Sequence, residues 1–519
     1  MQIKNLQLKR VLRTALLVLL LGAVGMTKGY AYDFSAVCST GQTLYYNITD
    51  ATNHYVTVVS PENDILLPWN GYMMPTGNLV IPEIVTRNGV DYSVTAIGNY
   101  AFSRCSGLTD LTIGNSVTSI GYRAFFSCIG LTDLTIGNSV TSIGNSAFCW
   151  CSGLAVVNWN AVNVTSYPTY TSDYPFQNCS NLTTVVFGNQ VQRIPGQAFY
   201  NCIGLTDLTI GNSVTSIGYE AFSGCSGLTM VNWNAVSVAS YPNSTSSHPF
   251  TNCTNLTTVV FSDQVQTIPN SAFAGCSGLT DLTIGSSVTS IGYSAFYNCS
   301  GLTTVYWDAV NVTSYPGFSS DRPFTNCTNL TTVVFGDQVQ TIPDYAFSGC
   351  NGLTNLTIGN SVTFIGERAF YHCSALTDLT IPNSVTSIGY EAFSGCSGLT
   401  DLTIPNSVTS IGELAFEYCS GLTTVNWNAV DVTSSYSAFR YCTNLTTVVF
   451  GNLVQIIPTN AFYSASSITN LTIGNSVTSI GSNAFSGCSG LESVHYTGDI
   501  AQWCNIQKPI PLLMSLNLV

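Results

Sequence analysis

The sequence predicts a β-rich solenoid of about 17 stacked units of 23–28 residues, built from short strands and helical turns, with a β cap at its N-terminus. Three observations carry this reading. Cysteine recurs at a fixed step, apolar residues recur at fixed offsets between the cysteines, and charged residues make up only 8% of 519 positions, a composition unusual for a globular enzyme. The step is set by Cys105, Cys128, Cys151, Cys179, Cys202, Cys225, Cys253, Cys276, Cys299, Cys327, Cys350, Cys373, Cys396, Cys419 and Cys442, then Ala465 in the same slot, then Cys488. It is 23 residues except for three steps of 28, which end at Cys179, Cys253 and Cys327. Cys38, Cys149 and Cys504 lie off this ladder.

Leu279–Gly301, LTDLTIGSSVTSIGYSAFYNCSG, represents the unit. Strand side chains alternate, so Leu-x-x-Leu-x-Ile puts Leu282 and Ile284 on one face of a short strand. Gly285 permits a turn. Val288-Thr-Ser-Ile291 reads as a second extended segment, Ala295-Phe296-x-x-Cys299 as a helical or 3₁₀ turn, and Ser300-Gly301 returns the chain. One unit cannot bury its own apolar face, whereas stacked units form a continuous core. At roughly 4.8 Å per strand step the stack is on the order of 80 Å long.

Outward positions of the first strand form columns. Asp110, Asp133, Asp207, Asp281, Asp378 and Asp401 share one register, and Thr112, Thr135, Thr209, Thr283, Thr380 and Thr403 another. Trp159, Trp233, Trp307 and Trp427 stand in the slot that Ile113 or Ile284 fills elsewhere, which predicts a core ring. Their neighbours Asn158, Asn232, Tyr306 and Asn426 then point outward as candidate binding residues.

The three longer units carry SYPTYTSDYPFQNC, SYPNSTSSHPFTNC and SYPGFSSDRPFTNC within Asn163–Cys179, Ser237–Cys253 and Asn311–Cys327. They recur every 74 residues, so their loops emerge on one side, roughly 14 Å apart. Tyrosine in a loop gives large contact area at low entropy cost. Tyr167, Tyr170, Tyr174, Tyr241, His248, Tyr315, Phe318 and Arg322 are therefore candidate binding residues. Aromatics folded back over the solenoid edge are the competing reading.

The ends depart from the unit. Lys4, Lys9, Arg10 and Arg13 precede or enter an apolar run, Val11–Val24, followed by Gly29 and Ala31 at the −3 and −1 positions of a cleavage site. Residues 1–31 thus read as a signal peptide, the run being short of the roughly 20 residues a membrane span needs. A retained anchor is the alternative. Cleavage leaves 8 basic and 26 acidic residues, with Lys508 the only lysine, and no later segment long enough to span a membrane. So acidic a chain disfavours nucleic acid, whose binding rests on Lys and Arg. Residues 32–93 read as the cap, with strands at Thr43–Ile48 and His54–Val59, and with Leu79–Ile81 and Tyr92–Val94 flanking a turn at Asn88-Gly89. The array proper spans 94–490. In 491–519, Leu491, Val494 and Tyr496 form a last strand and Ile500–Ile506 a covering helix with Trp503 over the core.

The unit L-x-x-L-x-I-x-x-x-V-x-x-I-x-x-x-A-F-x-x-C resembles the BspA-type leucine-rich repeat of secreted and surface proteins, over approximately residues 94–496. The resemblance implies a leucine-rich-repeat solenoid and a binding role in adhesion to host proteins or to other cells.

Candidate chemistries fare poorly beside this. Residues of one register point the same way on successive coils, whereas a disulfide needs converging Cβ vectors. A 23-residue step is also not zinc spacing. The ladder cysteines therefore read as core thiols, with no metal and no cofactor. The Asp columns lack a clustered calcium loop and read as a solvated face. His54, His248, His372 and His495 are scattered, and no G-x-S-x-G or H-E-x-x-H motif occurs. The expectation is an exported cell-surface or secreted binding protein, adhesin-like and not an enzyme, whose partners are extracellular or cell-surface proteins or glycans. The rivals are a self-associating surface scaffold and a carbohydrate-active enzyme or accessory module.

Overall fold

The computed structural model describes residues 31–164, 174–238, 248–312, 322–432 and 435–507, and the backbone of Asn517 and Leu518. They wind as a β-solenoid of about 16 turns with almost no helix. Each coil has three sides. The first is a strand such as Asp281–Ile284, paired in parallel with Thr304–Trp307 so that Leu282 lies beside Val305 and Ile284 beside Trp307. Alternation holds: Leu282 and Ile284 are buried, Asp281 and Thr283 exposed. The second side is a two-residue strand such as Ser290–Ile291, paired with Thr267–Ile268.

The third side is the Ala-Phe-x-x-Cys block, and here the structure differs from the expected helical turn. Ala124, Phe126 and Cys128 donate to Gly121, Arg123 and Phe125 of their own coil, while Arg123, Phe125 and Ser127 donate to Asn145, Ala147 and Cys149 of the next. This alternation needs a left-handed residue on either side of Ala-Phe, and Arg123 (φ 51°) and Ser127 (φ 59°) supply them. The residue before every ladder position is left-handed, and ten of these seventeen are Asn or Gly, the types that adopt it most readily.

Four columns hold the coils in register. Phe rings stack from Phe102 to Phe485, with centroids 4.9 to 6.1 Å apart and near-parallel planes. From Cys128 onward each ladder thiol donates to a Phe carbonyl of the preceding coil, as Cys299 Sγ does to Phe273 O at 3.2 Å, and that carbonyl also accepts the N–H of Cys276 in its own coil. Thr hydroxyls form two edge columns, typified by Thr132 and Thr118, whose Oγ1 atoms donate to Thr109 O and Thr95 O at 3.0 Å.

The Trp column marks a change of corner. Trp159 and Val164 are five residues apart, where Ile136 and Ile143 of an ordinary coil are seven. The indole fills the space that the shorter corner vacates, and its Nε1 donates to Ala161 O at 3.1 Å. Trp233, Trp307 and Trp427 repeat this with Ala235, Ala309 and Ala429. The extra length of the three long units therefore enters at the corner between the second and third sides. In Trp427's coil, loss and gain cancel and the 23-residue step survives.

At the N-terminus, strands β1 (Phe34–Val37), β2 (Thr43–Asp50) and β3 (Tyr55–Val59) pair antiparallel in sequence. Strand β4 (Gly77–Ile81) does not flank the Asn88-Gly89 turn. It pairs in parallel with β7 (Leu108–Ile113), Leu79 beside Leu111, as the first rung of the first side. The hairpin is made by β5 (Ile84–Arg87) and β6 (Val90–Ile97), with Asn88 and Gly89 both at positive φ. Regular coiling thus reaches back to Gly77. Gln42 Nε2 donates to Thr76 O and Asn78 O and so covers the outer edge of β4.

At the other end, helix α1 (Ile500–Asn505) starts from an Asp499–Gln502 capping box and lays Trp503 against Tyr496, ring centroids 5.3 Å apart. The ladder of the first side is continuous except once, between Asn355–Thr357 and Asp401–Ile404. Pro382 and Pro405 replace the corner glycine there and remove its N–H. The second side runs unbroken past the gap.

Candidate binding surface

The left-handed turns that build the third side set one or two residues on either side of Ala-Phe outside the core in each coil, some exposed, as Arg104 and Glu413 are, and some covered by their neighbours, as Glu391 and Glu417 are. The scarce charge of the chain collects there. Arg104, Arg123, Arg322, Arg368 and Arg440 are five of its nine arginines, and Glu220, Glu367, Glu391, Glu413 and Glu417 five of its eight glutamates. The aspartates of the first-strand column lie on the first side instead. Asp110 is paired beside Asp133, while Asp207 and Asp281 lie between uncharged neighbours, and no group of three or more possible metal ligands occurs among the described residues.

The densest part runs from Arg322 to Tyr441. Arg368 grips Glu391 with two bonds, Nε to Oε2 at 2.7 Å and Nη2 to Oε1 at 3.1 Å, and donates a third from Nη1 to Tyr345 Oη at 3.1 Å. Tyr345 donates in turn to Glu367 Oε1 at 2.6 Å. Arg322 lies 3.9 Å above the Tyr345 ring, and Arg368 lies 5.2 Å from the Tyr390 centroid. The bidentate Arg368 contact holds the Glu391 carboxyl below its usual range. Burial pushes Glu417 the other way, and Arg440, 3.8 Å off, offsets it only in part. Further along, Tyr418 stacks on Tyr441 at 4.9 Å. Tyr219, Tyr418, Tyr436 and Tyr441 are all exposed.

The candidate residues divide. Tyr174, His248 and Arg322 stand at the feet of the insertion loops and tie into this third side. Tyr174 Oη accepts from Gln197 Nε2 at 2.7 Å, and its ring packs on Tyr200. His248 is half-buried, which lowers its pKa, and its N–H donates to Thr251 Oγ1. Tyr167, Tyr170, Tyr241, Tyr315 and Phe318 lie outside the described residues. Asn158, Asn232 and Asn426 are half-buried on the first side, and Tyr306 is exposed beside Thr283 and Val334. The first-side residues and the loop feet therefore belong to different walls.

Sequence reasoning overlooked the third side as a surface. Its signal was present in the variable positions of G-x-x-A-F-x-x-C, where Tyr, Arg and Glu recur. The ladder thiols offer no competing chemistry. Cys105 to Cys488 are buried, and burial raises every one from Cys151 onward, Cys225 and Cys396 to about 12. All nineteen cysteines are free, and only Cys504 is exposed. His372 is exposed while Cys373 is buried, so the two do not form a catalytic pair.

Three-sided parallel coils with a Leu-x-x-Leu-x-Ile first strand define a leucine-rich-repeat solenoid. The chain belongs to the BspA type leucine rich repeat family, whose six-copy repeat region matches residues 85–171, 169–303, 243–377, 319–436 and 430–505. The match indicates no catalytic family. Among solved structures it is similar to a leucine-rich repeat protein of Bacteroides ovatus, at 24% identity over 81% of this chain and 100% of that one, TM-score 0.47. It is also similar to a leucine rich cell surface protein of Faecalibacterium prausnitzii, at 22% identity over 91% and 97% of the two chains, TM-score 0.28. No curated protein matches it. No helix among the described residues is long and apolar enough to cross a membrane. Residues 1–30, on which the signal-peptide reading rests, lie outside the described residues.

Proposed function

We propose that the chain is an exported binding protein, secreted or held at the cell surface, that engages extracellular proteins or glycans in an adhesin-like way through its third side and the insertion row. The observation that carries this is the partition of side chains. A chain with 8% charged residues places most of its Arg and Glu, with exposed Tyr between them, on one wall of an extended coil. Aromatic and Arg side chains are those that dominate binding energy at interfaces. Here Arg368 is held by its bidentate pair with Glu391, and Tyr418 and Tyr441 by stacking, so little entropy is lost on docking. The same wall continues past the feet of all three insertion loops, which suits many modest contacts summed by multivalency. Membership of the repeat family agrees with this reading.

The test is a chain carrying Tyr219→Ala, Tyr418→Ala, Tyr436→Ala and Tyr441→Ala together. These side chains are exposed, so the melting curve should stay close to that of the parent. Binding to a panel of extracellular matrix proteins and surface glycans should weaken at least about tenfold, the equivalent of 1.4 kcal/mol. Unchanged binding by a folded variant would refute the third side as the docking wall.

A further inference from the structure

Beside the gap in the first-side ladder, the corner between the first and second sides opens into a groove of about 510 Å³. We propose that this groove binds a neutral glycan, taken as an extended chain lying along the solenoid axis.

Its shape has a local cause. Two full-length corners, at Pro382-Asn383 and Pro405-Asn406, are followed by the two-residue-shorter corner of the Trp427 coil, and then by a full-length corner at Asn452-Leu453. A short corner between long ones leaves a notch with Asn428 in its floor. Leu453, 64% exposed, stands as one wall. The volume falls within the roughly 300–1,000 Å³ of small-ligand clefts.

Its chemistry is neutral, although the chain carries a net charge of −13. Asn383, Asn406, Asn428 and Asn452 line it at successive coils, with the hydroxyls of Thr380 and Thr403. Side-chain amides and hydroxyls both donate and accept, which matches a ligand dense in hydroxyl groups. Leu453 offers apolar surface to the C–H faces of sugar rings. Main-chain groups add to this. Among the described residues, no main-chain hydrogen bond joins 377–381 to either neighbouring first-side strand, and Thr380 and Ile381 of that segment line the groove. Where they meet solvent, these groups are open to a ligand's hydroxyls in place of water. Direction separates a glycan from a peptide. A strand-adding peptide would run parallel to the strands, whereas the groove crosses successive coils, so that one amide meets the ligand at each step of about 4.8 Å.

The groove lies on a different corner from the third side, so either site can fail without the other. The test uses the full chain with neutral tri- and pentasaccharides of glucose, galactose and mannose, read by saturation-transfer NMR and calorimetry. At least one should bind with a millimolar or tighter Kd. Asn406→Ala with Asn452→Ala, both at exposed positions, should weaken that binding at least about tenfold, and Leu453→Glu should do the same. Tyr418→Ala with Tyr441→Ala should leave it unchanged. The proposal is overturned if no neutral oligosaccharide binds at millimolar concentration, if the double Asn variant melts and binds as the parent does, or if an extended peptide occupies the groove in place of the sugars.

Discussion

Replacing Trp307 with alanine is expected to cost about 3–5 kcal/mol, the range for deleting a large aromatic from a packed core. Trp307 is fully buried, packs against Phe324, Phe335 and Phe347 at 6.0 to 6.4 Å, and donates Nε1 to Ala309 O at 3.1 Å. Its corner is two residues shorter than an ordinary one and has Ala309 where Val288 stands a coil earlier, so no neighbour is long enough to fill the cavity. The same substitution leaves Ala309 O without its indole donor. Trp307→Ile should cost less than the alanine change yet remain destabilising, although Ile fills this slot in other coils, as at Ile136 and Ile284, because those coils have the longer corner. Urea unfolding of the three proteins checks the order. Because a solenoid unit touches only its neighbours, hydrogen exchange should show the added opening centred on residues 280–350. An isoleucine variant as stable as the parent would show that the indole and the short corner are not coupled.

Thiol accessibility should differ by orders of magnitude between the native and unfolded chains. In the native protein, Ellman's reagent at pH 8 should modify Cys504 rapidly and the other eighteen cysteines only as the coil opens. In denaturant, all nineteen should titrate. The thiolate is the reactive form. Burial raises ladder thiols such as Cys225 to about 12, so very little thiolate exists at pH 8 even before access is considered. From Cys128 onward each ladder Sγ proton is also engaged by a Phe carbonyl of the coil beneath. Fewer than nineteen thiols after unfolding would mean disulfides, and several fast thiols before it would mean an open core.

The fold was legible in the residues because one pattern, repeated, has few solutions. The Leu-x-x-Leu-x-Ile strand, the Trp slot and the covering helix with Trp503 could each be placed from periodicity and end composition. Two features could not. The Ala-Phe-x-x-Cys block has the spacing of a helical turn, yet close stacking gives its N–H groups alternate partners in the next coil, so tertiary contact overrides local preference. Strand β4 was assigned to the cap hairpin because the Asn88-Gly89 signal is strong, but that hairpin is an insertion within the first coil. The loop feet Tyr174, His248 and Arg322 were found by composition. The Arg368–Glu391–Tyr345 cluster was missed, since its members lie 23 residues apart and meet only through coiling.

The most direct measurement is ligand binding by chains that lose whole 74-residue blocks in register, first residues 205–278 and then 205–352. Each 74-residue block holds three coils and one insertion, and every remaining coil keeps a matching neighbour, so the shortened chains should fold and melt cooperatively. Affinity for the extracellular ligand captured by the full chain should fall in steps as blocks are removed. Complete loss with the first block in a folded protein, or no loss with either, would contradict a docking wall spread along the coil.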